Sequence, residues 1–158
     1  MFASMRFLTL FPVLLALSSP ALAAVEVVDG DTIRVDGERV RLWGYDAPER
    51  RQTCLINGVK RAIGEEATEG LKAILAGGEL RCVTRDRDRY GRTVAECWAG
   101  SESIGDAMVR LGWAWALPRY SKDRFLPAQE EAERAGRGVW AGRANCEAPA
   151  RFRQEHRH

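Results

Sequence analysis

The chain has 158 residues, with 24 Lys and Arg against 22 Asp and Glu for a formal net charge of +2. That length suits one domain around one core and leaves two domains crowded, and so even a balance does not by itself announce a nucleic-acid partner. Both histidines, His156 and His158, stand at the extreme C-terminus, which excludes Ser-His-Asp hydrolysis, paired-histidine ribonuclease chemistry and histidine-rich zinc sites.

Residues 1–23 read as an export signal, with Arg6 as the positive region, an apolar run from Phe7 to Leu17 and a small-residue box at Ala21-Leu22-Ala23. The run is shorter than the roughly 20 apolar residues of a membrane span. Removal after Ala23 is therefore expected, leaving a domain over residues 24–145, a loosely structured tail over 146–158, and no membrane association.

From Val25 to Val35 the apolar residues recur with strand spacing, and Asp36-Gly37 is a two-residue hairpin signal before Glu38 to Gly44. That turn sets the register. Ile33 faces Val40 and Thr32 faces Arg41, so Ile33, Val35, Val40 and Leu42 share the core side and Arg41 emerges beside Asp31. Ala67, Leu71, Ile74 and Leu75 predict a helix over about residues 64–76, stopped by Gly77-Gly78. Two strands come next, near Glu79–Thr84 and Thr93–Trp98, around an arginine-rich turn from Arg85 to Arg92. A capping-box start at Ser103 predicts a second helix to Leu111, and a third is expected over Asp123–Ala135, with Pro127 in its first turn. Three strands, a helix and two further strands are the chain order of a five-stranded OB-type β-barrel, here in an α+β chain with about three helices.

Cys54, Cys82, Cys97 and Cys146 form an even set in an exported chain and contain no C-x-x-C pair, which favours disulfides over zinc. Cys82 and Cys97 flank one turn on two predicted strands, so a cross-strand bridge is expected; Cys54 and Cys146 would then tie a surface loop to the tail.

With histidine excluded, carboxylates and arginines remain to carry chemistry. Asp29 and Asp31 lie at a strand junction, and Asp46-Ala47-Pro48-Glu49 in the loop after the next strand. The hairpin brings the two places together, making an oxygen-rich pocket suited to a hard cation. Asp31-Thr32, Arg41, Asp46-Ala47-Pro48-Glu49 and Tyr90-Gly91-Arg92 occur in that order, before Met108-Val109-Arg110-Leu111-Gly112 and Gly138-Val139-Trp140. In this combination the chain resembles the thermonuclease, or staphylococcal-nuclease-like, family over nearly all of its mature length.

The resemblance implies a Ca2+ ion held by Asp31, Asp46 and the backbone carbonyl of Ala47, where the family often has Thr. It implies Glu49 as the general base, Arg41 and Arg92 as the arginines that grip the phosphate, and Arg89, Tyr90 and Tyr120 as substrate contacts. Asp29 matches a carboxylate near the metal, although Gly30 beside it also suits a turn; Asp88, just before Arg89, is placed either to touch the surroundings of the metal site or to pair with nearby arginines. A further family tyrosine falls at about Pro118, a contact for which Trp113 or Trp115 is a candidate substitute. The same resemblance implies a secreted or periplasmic, monomeric endonuclease acting on DNA and RNA, with single strands preferred and products ending in a 3′-phosphate. The rival reading is a non-catalytic OB-fold nucleic-acid-binding module, which has no need of Arg41, Glu49 and Arg92 together.

Overall fold

A computed structural model describes residues 24–142 and 144–156; the expected export segment, 1–23, lies outside them. In chain order the strands begin with β1 (Val25–Asp29), β2 (Thr32–Val35), β3 (Glu38–Leu42), β4 (Tyr45–Asp46), β5 (Cys54–Ile56) and β6 (Val59–Arg61), and then helix α1 (Ile63–Leu75). Next come β7 (Leu80–Arg87), β8 (Thr93–Ala99), β9 (Glu102–Ser103), α2 (Ile104–Arg110), β10 (Trp115–Ala116), α3 (Pro118–Ser121) and α4 (Leu126–Ala135). A single 3-10 turn at Gly138–Trp140, β11 (Ala144–Asn145) and α5 (Pro149–Glu155) complete the chain.

The main sheet runs β1-β2-β3-β8-β7, with β9 pairing onto β8. Its one parallel pair is β3 with β8, and the others are antiparallel. This curled mixed sheet with helices packed on it is an α+β OB-type fold. Among the described residues it carries five α-helices rather than about three, because the short α3 and α5 lie outside the periodic segments that sequence can read.

The β2–β3 register is the one that the Asp36-Gly37 turn dictates, with Thr32 opposite Arg41 and Ile33 opposite Val40. Both turn residues take positive φ, 50° and 87°, as a hairpin turn matched to strand twist requires. The arginine-rich turn is shorter than expected. β7 runs on to Arg87 across a register shift between Thr84 and Asp86, so only Asp88–Arg92 form the connection.

The core gathers Ile33, Leu42, Leu71, Ile104, Met108 and Phe125, all essentially inaccessible, each contributing about 1.5–3 kcal/mol by burial. Helix α1 enters it through Ala67, Leu71 and Ile74, the spacing of one helical face. Helix α2 is capped by Ser103, whose Oγ accepts from the Asp106 N–H at 3.4 Å. A smaller cluster of Cys54, Ile56, Ile63 and Val139 closes against Trp115 and Trp140.

Both expected disulfides are present. Cys82 and Cys97 are directly opposed on β7 and β8, and Cys54 is joined to Cys146 across a separation of 92 residues. The second bond anchors the C-terminal segment, which folds back as α5 instead of trailing as a loose tail. Among the described residues no helix is long and apolar enough to cross a membrane.

Candidate active site

The strand junction, the β3–β4 region and the β7–β8 turn open onto one cleft of about 1110 Å³, and helix α5 closes its far side with Ala150 and Arg153. Asp29, Asp31, Arg41, Asp46, Ala47, Glu49, Arg89, Tyr90, Arg92 and Tyr120 all line it. Trp113 and Trp115 do not: Trp113 packs on the main core and Trp115 stacks edge-on with Trp140 at 5.6 Å. Neither replaces the tyrosine missing at Pro118.

Two close approaches fix the carboxylate loop. A side chain at Gly30 would meet Ala47 Cβ at 2.7 Å and Ala67 Cβ at 3.1 Å, so only glycine lets the junction, the loop and α1 meet there. At Gly64 an added Cβ would fall 1.9 Å from the carbonyl oxygen of Glu49, which places the first turn of α1 directly under the loop. Gln52, fully buried, holds the loop from within. Its Oε1 accepts the Glu49 N–H at 3.1 Å, its own backbone N–H donates to the Glu49 carbonyl at 2.7 Å, and its Nε2 donates to the Glu147 carbonyl at 2.6 Å. One residue thus ties the Glu49 backbone to the C-terminal segment.

Arg41 bridges the two buried carboxylates, with Nη1 3.0 Å from Asp31 Oδ1 and Nη2 2.9 Å from Asp46 Oδ1. Thr32 Oγ1 donates to Asp31 at 3.0 Å, and the Asp29 carboxylate accepts the Asp31 N–H at 3.1 Å. Burial nonetheless pushes the Asp31 carboxyl up to about 7; Arg41 opposes the rise, and Asp29 and Asp46 add to it. Desolvation costs a carboxylate more than one shared guanidinium returns. Burial, and then the negative charge of Asp31, also drive the Tyr45 hydroxyl well above its ordinary value.

Asp31 and Asp46 suit a hard cation chemically, being oxygen donors withdrawn from water, with Asp31 still short of positive charge. Among the described residues no three or more His, Cys, Asp or Glu side chains are placed to hold a metal ion together. A cation held here would therefore draw its remaining ligands from main chain, water and substrate, as a hard cation accepts.

On the opposite wall Arg92 is braced by Asp88 through Nε at 2.6 Å, and the Asp88 carboxylate also accepts the N–H groups of Tyr90 and Arg92, each at 2.9 Å. Although burial opposes it, these bonds hold the Asp88 carboxyl below its usual range. Asp88 thereby shapes the turn that presents Arg89, Tyr90 and Arg92. The Tyr90 and Tyr120 rings are largely exposed, and Arg89 lies over the Tyr90 ring at 4.8 Å.

Sequence reasoning missed two participants, Gln52 and Arg153. Arg153 Nη1 lies 2.7 Å from Glu49 Oε1 and 3.1 Å from Asp46 Oδ1, while Nη2 is 2.9 Å from Asp46 Oδ2. Although burial works against it, Asp46 and Glu49 raise the Arg153 pKa further above its ordinary value. Only the expected Cys54–Cys146 link hinted that the tail could reach this far.

Fold and cleft together define an OB-type domain whose open face carries buried carboxylates and a set of arginines. The model of the staphylococcal nuclease homologues matches residues 39–142. An Escherichia coli protein described as an uncharacterized endonuclease is 36% identical over 141 residues, covering 82% of this chain and 86% of its own. The thermonuclease of Staphylococcus hyicus is 32% identical over 127 residues, covering 74% and 73%, and the succinoglycan biosynthesis protein ExoI of Rhizobium meliloti 34% over 137 residues, covering 85% and 72%. The chain belongs to the staphylococcal nuclease family. Arg41, Asp46, Glu49 and Arg92 fall inside the matched region; Asp31 precedes it, and α5 comes after it.

Proposed function

We propose that the chain, a phosphodiester-hydrolysing nuclease by family, is a calcium-dependent endonuclease that cuts DNA and RNA with little base preference. The carrying observation is the convergence on one cleft of the Asp31–Arg41–Asp46 bridge, Glu49 and Arg92. Asp31, Asp46 and the Ala47 carbonyl hold the cation, which when bound offsets charge building on the phosphate oxygens. Glu49 orients the attacking water and takes its proton, a task for which an ionised carboxylate, acceptor only, is suited. Arg41 and Arg92 grip the phosphate from two sides, and their permanent charge gains most against the pentacoordinate transition state.

Arg89, Tyr90 and Tyr120 contact the nucleotide, phosphate through the arginine and base through the rings. A shallow groove of this kind reads backbone charge and unpaired bases, so single strands are preferred over duplex. Residues 1–23 direct export and are removed, leaving a monomeric domain over 24–145 with the segment 146–156 folded onto its cleft. The two disulfides suit an oxidising compartment, and the protein works in the periplasm or outside the cell.

The test is degradation of single-stranded DNA and of RNA by the purified protein in calcium and in chelator. Cleavage of both in calcium alone supports the reading. Binding without cleavage in every condition replaces it with an OB-fold binding module.

A further inference from the structure

Beside the carboxylate cleft, and sharing Glu49, Arg89, Tyr90 and Arg153 with it, lies a second hollow of about 780 Å³. Its remaining lining is Arg50 and Arg51 from the loop after Glu49, and Phe152 and His156 from α5. Among the described residues, Arg50, Arg51 and Arg89 make no ion pair, whereas Arg41, Arg85, Arg92 and Arg153 around the cleft do. Three guanidinium groups without carboxylate partners around one depression are a receptor for a polyanion rather than a structural network. Phe152 and His156 supply the second half of such a receptor. Their rings stack at 4.1 Å with an interplanar angle of 22°, and His156 is exposed. Arginines interleaved with aromatic rings suit a single nucleic-acid strand, phosphates on the former and a base on the latter.

We infer that this hollow is a flanking-nucleotide subsite, in which Arg50, Arg51 and Arg89 take the phosphates next to the scissile one and the Phe152–His156 stack takes a base. The inference rests on the nuclease reading above and extends it: helix α5 is an outer wall of the substrate groove. Because the C-terminal segment is fixed by the Cys54–Cys146 bond and by Gln52, the wall is present before substrate arrives. Affinity should therefore grow with strand length on this side of the cleft.

The experiment is fluorescence anisotropy with labelled single-stranded thymidine oligomers in chelator, where no cleavage occurs, comparing the full chain with an Arg50→Ala/Arg51→Ala double variant and with Phe152→Ala. For a decamer, affinity falls roughly tenfold in the double variant, and the slope of log affinity against log salt drops by about 1.4, two phosphate contacts at about 0.7 each on a single strand. Phe152→Ala weakens decamer binding by about fivefold or more. A dinucleotide binds all three proteins alike. Equal weakening for both lengths, or none for the decamer, overturns the subsite. Preserved length dependence in a protein that never cleaves would instead sink the nuclease reading and leave the subsite standing.

Discussion

The Arg153 guanidinium spans Glu49 and Asp46, 2.7 Å from the first and 2.9 Å from the second, so the C-terminal helix places a cation on the proposed base and on a proposed metal ligand at once. A divalent ion reaching Asp46 must displace one of these bonds or share its carboxylate with Arg153. The Arg153→Ala chain is expected to bind calcium roughly tenfold more tightly, from the like charge removed and the charge-assisted bonds no longer broken. Calorimetric titration of both proteins checks this, and unchanged or weaker binding contradicts it.

Glu49→Ala and Arg41→Ala both remove groups assigned to the reaction, but their effects on folding differ. Glu49 is substantially exposed, whereas Arg41 compensates two buried carboxylates. Glu49→Ala should keep the wild-type unfolding midpoint. Arg41→Ala should lose about 3 kcal/mol in chelator, the scale for breaking a buried pair by deleting one partner. Urea denaturation distinguishes them; equal stability would mean that the Asp31–Arg41–Asp46 bridge carries no net weight.

The Asp31 carboxyl, raised from 3.8 towards about 7 by burial, gives a pH dependence of defined sign. Its folded value exceeds its unfolded value, so the folded state binds the extra proton and stability falls as pH rises through the interval between them. In chelator the chain should therefore lose more stability from about pH 4 to pH 7 than an Asp31→Asn variant, whose slope lacks this component. Denaturation midpoints across that window test it, and parallel curves contradict it.

Gln52→Ala should cost about 2 kcal/mol, since it leaves the Glu49 N–H and the Glu147 carbonyl, both at part-buried bonds, without the side-chain partner that holds them. It should also slow cleavage by loosening the loop that carries Glu49. Urea unfolding and single-turnover cleavage measured together decide this; a variant with wild-type stability and rate would reduce Gln52 to filler.

Which features are legible in the sequence depends on the range over which their causes act. Asp36-Gly37 fixes the β2–β3 pairing because its turn geometry acts over a few residues, and that local register is enough to bring Arg41 beside Asp31. Cys82 and Cys97 are legible for the same reason, lying on strands joined by one turn. Arg153 is not, because its partners Asp46 and Glu49 are 107 and 104 residues away and its seven-residue helix is too short for a periodic signal. Gln52 escapes because a glutamine in a loop has no pattern until its partners are in place. At Arg85 the strand outruns its expected end: the bulge re-aims β7 without stopping it, and a bulge has no residue signature in this arginine-rich stretch.

The central claim, that Glu49 activates water beside a calcium held by Asp31 and Asp46, is tested most directly by cleavage of single-stranded DNA by wild type and Glu49→Gln in calcium and in chelator. The account predicts calcium-dependent cleavage in the wild type, a loss of about 10²- to 10⁴-fold in the variant, and unimpaired DNA binding by that variant. Cleavage that survives either the chelator or the substitution would contradict it.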